Sequence, residues 1–339
     1  MTLEDTHISL AHGNGGRFMR ELIDHLFAKH LRNATLDTQA DAAVLPWSSE
    51  DGELVFTTDG FTVQPLEFPG GDIGSLCVHG TTNDLAVSGA VPRYLSLNVF
   101  VEEGFEIETL ERLTASVARA AREVGVQVAA GDTKVLRRGE GGGLYLATTG
   151  IGLRPRGLHL GMQHIRPGDA ILVSGPIGAH GVAVLLAREQ FGLRGDLLSD
   201  AASVLPLTLA LRDLPGLRFM RDPTRGGIAT VMHEIASATR LGVSLGEAAI
   251  PVQDPVRSVC EMLGYDPYYL ACEGRVVAVV APDLADAALA RWRALPCGAA
   301  AAIVGHLGTA PAGRVVLTTI LGGERYLEEL EDEPLPRIC

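Results

Sequence analysis

With 41 acidic residues against 28 basic ones, this 339-residue chain carries a net charge of −13 at 47% hydrophobic content. A disordered chain would be poorer in apolar residues, and a nucleic-acid binder would carry a basic stripe, whereas the longest basic run here is Arg137-Arg138. Single cores stop growing near ~250–300 residues, so the length predicts two domains.

In chain order, residues 16–31 carry Phe18, Met19, Leu22, Ile23, Leu26 and Phe27 at helical spacing. Glu53–Thr58 reads as a strand ending at Asp59-Gly60, and Gly70-Gly71 opens a helix that runs through Ala86. Arg93–Val101 alternates like a strand. Glu108–Val124 is a helix with Leu110, Leu113, Val117, Ala121 and Val124 on one face. Val126–Ala130 is a short buried strand ending at Gly131-Asp132, and Leu144–Gly152 is another strand. The Pro- and Gly-containing stretch from Arg154 to Gly168 is the expected domain junction. Beyond it, Ala170–Ser174 is a strand followed by Gly175–Gly178 and a helix to Phe191. Ala201–Arg212, Thr224–Thr239 and Asp283–Leu295 read as helices. Val276–Val280, Ala300–Leu307 and, last, Val315–Ile320 read as strands. Strands and helices mix in broken alternation in both halves, which fits two α+β domains better than one doubly wound sheet. The expected units are 1–155, 156–327 and a tail, 328–339.

The N-terminus lacks a basic start and an apolar run, and no apolar stretch approaches the ~18–20 residues needed to span a bilayer. Five cysteines, Cys77, Cys260, Cys272, Cys297 and Cys339, form no C-x-x-C pair. That argues against a zinc knuckle and a disulfide scaffold, and for a reduced cytoplasmic protein without membrane or nucleic-acid partners. Cys339 is the last residue, behind Pro334-Leu335-Pro336-Arg337-Ile338. The prolines favour an extended tail, and six residues at ~3.3 Å each reach roughly 20 Å. Such a tail can carry Cys339 from solvent into a site on the body; a frayed terminus reads the same way.

No Walker A sequence and no dinucleotide fingerprint is present. Ala11-His12-Gly13-Asn14-Gly15-Gly16-Arg17 before a helix suits phosphate oxygens, as does any Gly-rich turn at a helix start. Asp59, Asp84 and Asp132 stand at element ends. Gathered around one point they would repel unless a cation such as Mg²⁺ joined them, and singly they also suit capping. In Gly131-Asp132-Thr133-Lys134, the lysine suits a transferring phosphoryl group or a solvated turn. Arg221-Asp222-Pro223-Thr224-Arg225-Gly226-Gly227 suits anion binding or a capped helix start. In Cys272-Glu273-Gly274-Arg275, Glu273 suits a base or half of an ion pair.

These pieces occur in one order together with Phe68-Pro69-Gly70-Gly71, Asn83-Asp84, Ser88-Gly89-Ala90, Pro92-Arg93-Tyr94, Leu172-Val173-Ser174-Gly175 and the terminal Pro-Arg-Ile-Cys. From about residue 8 to its end the chain closely resembles the HypE family of hydrogenase maturation proteins. That family is similar to aminoimidazole ribonucleotide synthetase and selenophosphate synthetase, which bind ATP without a P-loop. The resemblance implies an aminoimidazole ribonucleotide synthetase-like fold of two α/β domains, with N-terminal sheets pairing across a homodimer and ATP near that interface. It implies that a carbamoyltransferase, HypF, loads Cys339. ATP then phosphorylates the carbamoyl oxygen, loss of phosphate and a nitrogen proton leaves a thiocyanate, and cyanide passes to iron on a HypC–HypD complex. By resemblance Asp59, Asp84 and Asp132 hold Mg²⁺, and His12, Gly13, Gly15, Gly16, Asn83, Thr133, Asp222, Thr224, Arg225, Gly226 and Gly227 complete the ATP site. Lys134 and Glu273 serve as charge stabiliser and base in some order.

The chain departs from the family in three places. Cys272-Glu273-Gly274-Arg275 stands where Asn-Glu-Gly-Lys is common, and arginine cannot act as a base. Gly178-Ala179-His180-Gly181 lacks the aspartate that often precedes the histidine. Asp41 matches the wider superfamily better than the family. Two other readings remain at this level. A related phosphotransferase or selenophosphate synthetase would want a cysteine near Asn14 and leaves the terminal cysteine without purpose. A non-catalytic scaffold displaying a thiol tail would turn over no ATP.

Overall fold

The computed structural model describes residues 6–9, 12, 21–33, 52–188, 196–330, 335 and 338–339. Gly13, Gly15, Gly16, Asp41, Pro334, Pro336, Arg337 and the start of the expected 16–31 helix lie outside them. The described part of that helix is a π-helical turn, Ile23–Phe27, continued by Ala28–Leu31.

The first sheet is built from β1 (Glu53–Phe61), β2 (Val91–Glu102), β3 (Gln127–Leu136) and β4 (Leu144–Arg154), in the order β1-β4-β2-β3. Helix α1 (Ile73–Val87) links β1 to β2, and α2 (Ile107–Val124) makes the crossover between the parallel pair β2 and β3. Helix α2 is amphipathic and stops at Gly125, whose φ of 79° closes a left-handed cap. Helix α1 is buried nearly all round. Asp72 and Ser75 cap it reciprocally, and Gly74 lets it approach α2, since a Cβ there would meet the Leu113 carbonyl oxygen at 2.3 Å. Two expected strand ends were placed too early. β1 runs through Asp59-Gly60 and β3 through Gly131-Asp132. Gly131 is there because its neighbour comes close: a Cβ would stand 2.5 Å from the Leu97 carbonyl oxygen. Both helices cover one face of this sheet. On the other, Leu54, Phe56 and Phe100 are exposed.

The second sheet has seven strands: β5 (Ala170–Val173), β6 (Leu217–Arg221), β7 (Gly242–Gly246), β8 (Val277–Val280), β9 (Ala302–Gly308), β10 (Val315–Thr318) and β11 (Glu324–Tyr326). Their order is β11-β10-β7-β9-β5-β8-β6. Its middle strands read as continuous apolar runs because both faces are covered. Ile171, Val173, Val277 and Val279 enter one core, with helix α5 (Gly227–Thr239). Ala170, Leu172, Ala278 and Val280 enter another, with α4 (Leu205–Leu211) and α7 (Ala285–Arg293). β6, β7, β11 and helix α6 (Asp254–Leu263) were not foreseen, and Val315–Thr318 is not the last strand. β6 interleaves arginines, which hid it; α6 carries Pro255 in its first turn and Gly264 at its end, signals the sequence does contain.

The two halves pack directly on one another. The first core extends to α3 (Ala179–Ala187), α6, Leu335 and Ile338, and the end of α1, at Ala86 and Val87, enters the α4–α7 core. Leu335 and Ile338 are 3% and 4% exposed, so the described parts of the tail are docked on the body.

Candidate functional site

The seam between the two sheets gathers carboxylates. Asp59 comes from β1, Asp84 from the last turn of α1, Asp222 from the residue after β6, and Glu273 from the turn before β8. What lets them converge is the approach of α1 to β1. Gly80 faces Phe61 and Asp59, and a Cβ there would meet the Phe61 ring at 2.7 Å. The Thr57 hydroxyl donates to Asp84 Oδ2 at 3.0 Å, and the Gly60 N–H to Asp59 Oδ1 at 2.8 Å. Burial raises all four acids above their ordinary range. Asp222 is pushed up to about 7, first by burial and then by the Asp84 charge. Glu273 goes well above its usual value through burial and the charges of Asp222, Asp200, Asp59 and Asp84. Arg225, exposed, offsets part of this at Asp59, and Arg221 does so at Asp84. Glu273 Oε1 is buried without a hydrogen-bond partner among the described residues.

Asp132 does not join this group within one protomer. Cα pairing sets Gly60 opposite Ala147, Ala147 opposite Asn98 and Asn98 opposite Asp132, so three strand spacings, about 14 Å, separate β1 from it. The pleat also puts it on the other face. Asp59 and Phe61 point to α1, as do Leu146, Val99 and Thr133 in the Phe61 row, whereas Asp132 and Lys134 alternate outward. There Lys134 Nζ pairs with Asp132 Oδ2 at 3.0 Å, with both side chains at least half exposed. Within one protomer Asp59, Asp84 and Asp132 therefore do not form the expected metal triad; the acid beside Asp84 is Asp222. Among the described residues no three His, Cys, Asp or Glu form a ready-made metal cage.

The other expected residues divide by what they touch. Asn83 is buried with its amide fully engaged: Nδ2 donates to the carbonyls of Ala202 and Glu273, both at 3.0 Å, and Oδ1 accepts from Val204 N at 2.9 Å. It ties α1 to the second half beside Asp84. Gly227, with φ of 58°, leaves room for backbone, since a Cβ would meet the Tyr268 and Leu270 carbonyl oxygens at 2.5 and 2.6 Å. Gly226 and Thr224 form the turn that starts α5, the Gly227 N–H donating to the Thr224 carbonyl. His12 is buried, its Nδ1 accepting from Ser9 N at 3.1 Å. Arg275, in place of the commoner lysine, donates from Nε to the Pro176 carbonyl at 2.9 Å and lies 3.3 Å from Asp200 Oδ2. Asp200 Oδ1 accepts the Glu273 N–H at 3.2 Å.

Cys339 sits half buried at the same seam. The Thr62 N–H and hydroxyl both donate to its terminal carboxylate, at 3.0 and 3.2 Å. One residue back, the Ile338 carbonyl meets His180 Nε2 at 2.6 Å. The other cysteines differ. Cys77, Cys260 and Cys272 are buried with thiol pKa values raised by burial, and Cys297 is exposed. Thr62, Ser199 and Asp200 escaped the sequence reading, because isolated Ser, Thr and Asp carry no periodic signal.

Comparison with known proteins agrees with this layout. The family model for the N-terminal domain of AIR synthase related proteins matches residues 39–154, and that for the C-terminal domain matches 166–318. "Carbamoyl dehydratase HypE" of Rhizobium leguminosarum bv. viciae is 48% identical over 98% of this chain and 95% of its own. A crystal structure of the hydrogenase maturation protein HypE in complex with ATP superposes with a TM-score of 0.91 at 44% identity, covering 97% of this chain and 99% of that one. A HypE–HypF complex aligns at TM-score 0.80 and 40% identity, over 91% of this chain and 99% of that one. The chain belongs to the HypE family, built on the two domains of the AIR synthase related proteins.

Proposed function

We propose that this protein is an ATP-dependent carbamoyl dehydratase that acts on its own C-terminus in the maturation of [NiFe] hydrogenase. The observation that carries this reading is the docking of Cys339 at the acidic seam, held by Thr62, three residues along the chain from Asp59. An S-carboxamide loses its oxygen poorly as hydroxide and well as phosphate. The carbamoyl oxygen attacks the γ-phosphorus of ATP, the bond to the β-phosphate oxygen breaks, and ADP leaves. The C–O bond then breaks with loss of phosphate, the two N–H protons having passed to a base and to solvent, and S–C≡N remains. Glu273 as proton acceptor is supported by its burial, by a carboxyl made more basic through that burial and the neighbouring acids, and by its unpartnered oxygen.

Mg²⁺ suits the mutually repelling acids. It takes one or two carboxylates together with substrate phosphates rather than a complete protein cage, which agrees with the open arrangement of Asp59, Asp84 and Asp222. Bound there, it supplies charge neutralisation to the triphosphate. Asp132 and Lys134 enter the site from a second copy in this reading, while Thr133, its side chain turned to the helices, offers only its backbone. Among the described residues the sheet face with Leu54, Phe56 and Phe100 is uncovered and β1 and β3 are edge strands, which favours closure with another such sheet into a homodimer. Lys134 then stabilises phosphoryl charge, and the glycine-rich sequence of His12, Gly13, Gly15 and Gly16 is assigned to the triphosphate. The partners are HypF as carbamoyl donor, supported by the solved HypE–HypF complex, and HypC–HypD as acceptor of cyanide, in the cytoplasm. No helix among the described residues is long and apolar enough to cross a membrane.

The test is intact mass after carbamoylation by HypF. Addition of ATP removes about 18 Da (one water) from the adduct on Cys339, and Cys339→Ala binds nucleotide yet shows no such loss. An adduct mapped to Cys77, Cys260, Cys272 or Cys297 would overturn the assignment.

A further inference from the structure

His180 is buried in an otherwise apolar helix, α3, and the dehydration chemistry gives it no task. Yet both ring nitrogens are engaged, and the polarity of the chain of bonds is determined. The Ile338 carbonyl, in the peptide group that joins Cys339 to the chain, can only accept, so Nε2 carries the proton and donates to it at 2.6 Å. In the neutral ring Nδ1 then accepts from the Ser199 O–H at 2.8 Å, while Ser199 Oγ accepts the Ala201 N–H at 3.0 Å. Burial lowers the pKa of His180, which keeps the ring neutral in this tautomer. Phe68 packs edge-on against the ring at 5.3 Å and fixes its plane.

The same short segment reaches the proposed base. Ser199 holds His180, and the next residue, Asp200, accepts the Glu273 N–H. Asn83 clamps Ala202, Val204 and the Glu273 carbonyl to the end of α1. Gly70 and Gly274 let the strap lie flat: a Cβ at Gly70 would meet the backbone of Ser199 at 2.8 Å, and one at Gly274 the Asp200 carbonyl oxygen at 1.9 Å. A tail held at Ile338 by His180 and at Cys339 by Thr62 is therefore in register with Glu273 through residues 199–204.

We infer that His180 is a positioning residue, a neutral latch that holds the tail inward and sets the place of Cys339 relative to Glu273 through the Ser199–Val204 strap. This inference deepens the dehydratase reading. Its first test uses no turnover, so the two can fail separately. The full-length protein, free of carbamoyl, is alkylated with a bulky maleimide, and the Cys339 rate is taken relative to exposed Cys297 in the same molecule by peptide mapping. Loss of one buried hydrogen bond predicts about a tenfold rise in that ratio for His180→Ala.

Two polar variants keep the test decisive if alanine disturbs folding. Glutamine places its amide nitrogen near the position of Nε2, so His180→Gln keeps the bond to Ile338 and stays near the wild-type ratio. Asparagine reaches only the Nδ1 position, so His180→Asn releases the tail as alanine does. In single-turnover dehydration at saturating ATP, His180→Asn is expected to slow loss of water about tenfold with unchanged half-saturation for ATP, and His180→Gln to run near wild type. Equal labelling in the Gln and Asn variants, or a released tail with an unchanged dehydration rate, overturns the inference.

Discussion

Replacing Asp222 by asparagine should make the protein more stable, and only on the alkaline side. In the native seam this carboxyl titrates at about 7 instead of 3.8, because it is buried beside Asp84. At 1.36 kcal/mol per pH unit the displacement corresponds to about 4 kcal/mol. Since Asp84 and Asp222 share one electrostatic penalty, about 2 kcal/mol is the working figure for removing one of them. The folded protein holds this proton more tightly than the unfolded chain. Below 3.8 both states are protonated and the penalty is absent; it grows as pH rises and is complete above about 7. Urea midpoints without nucleotide are therefore expected to coincide for wild type and Asp222→Asn at about pH 4 and to separate by about 2 kcal/mol at about pH 8, the variant being the more stable. Mg-ATP should reverse the ranking at the higher pH, stabilising wild type and leaving the variant nearly unchanged. A difference that is flat across this range, or a variant less stable than wild type at the alkaline end, would refute the idea that the carboxylates are strained against one another and await a cation.

Two further outcomes follow from the geometry. Asp84→Asn and Lys134→Ala proteins, each inactive in ATP-dependent dehydration, should regain about a quarter of wild-type activity when refolded together, since half the dimers are then mixed and each mixed dimer has one intact site; no recovery would exclude a site shared across subunits. Asn83→Ala leaves Val204 N–H and the Ala202 and Glu273 carbonyls without their partner, so it should cost about 2–4 kcal/mol in chemical denaturation, and a loss below about 1 kcal/mol would show that the clamp is solvated.

Much of this site was legible because the sequence marks chemistry at element boundaries. Asp59 and Asp84 were found as acids beside a strand and a helix, and helix α2 was read almost to the residue because one face is apolar and Gly125 closes it. What could not be read was which element lies beside which. Asp132 belongs to a strand with the same local pattern as β1, yet sheet order sets it three strands away and the pleat turns it to the other face. Asp222 was seen as part of an anion-binding turn, and only the approach of β6 to α1 makes it a neighbour of Asp84. His180 was noticed only as the neighbour of a departure, Ala179. A histidine among apolar residues gives no hint of its partner, which here is a peptide carbonyl 158 residues away.

The same strap explains how the chain tolerates arginine at position 275. A lysine there invites a role in proton transfer, and an always-charged guanidinium cannot fill it. The observed contacts ask for something else. Arg275 lies against Gly175, which leaves room for the guanidinium plane, and bridges the Pro176 carbonyl to Asp200. Asp200 is almost wholly buried, with a side chain 1% exposed, and would be an isolated charge without this cation. Its second oxygen accepts the Glu273 N–H. The cation at 275 thus holds the carboxylate that holds the backbone of Glu273, a task that needs charge and reach and no exchange of protons. Glu273 keeps its burial and its open oxygen whichever cation stands two residues later. The departure at position 275 therefore leaves the proposed proton acceptor in place, with the burial and the open oxygen of Glu273 untouched.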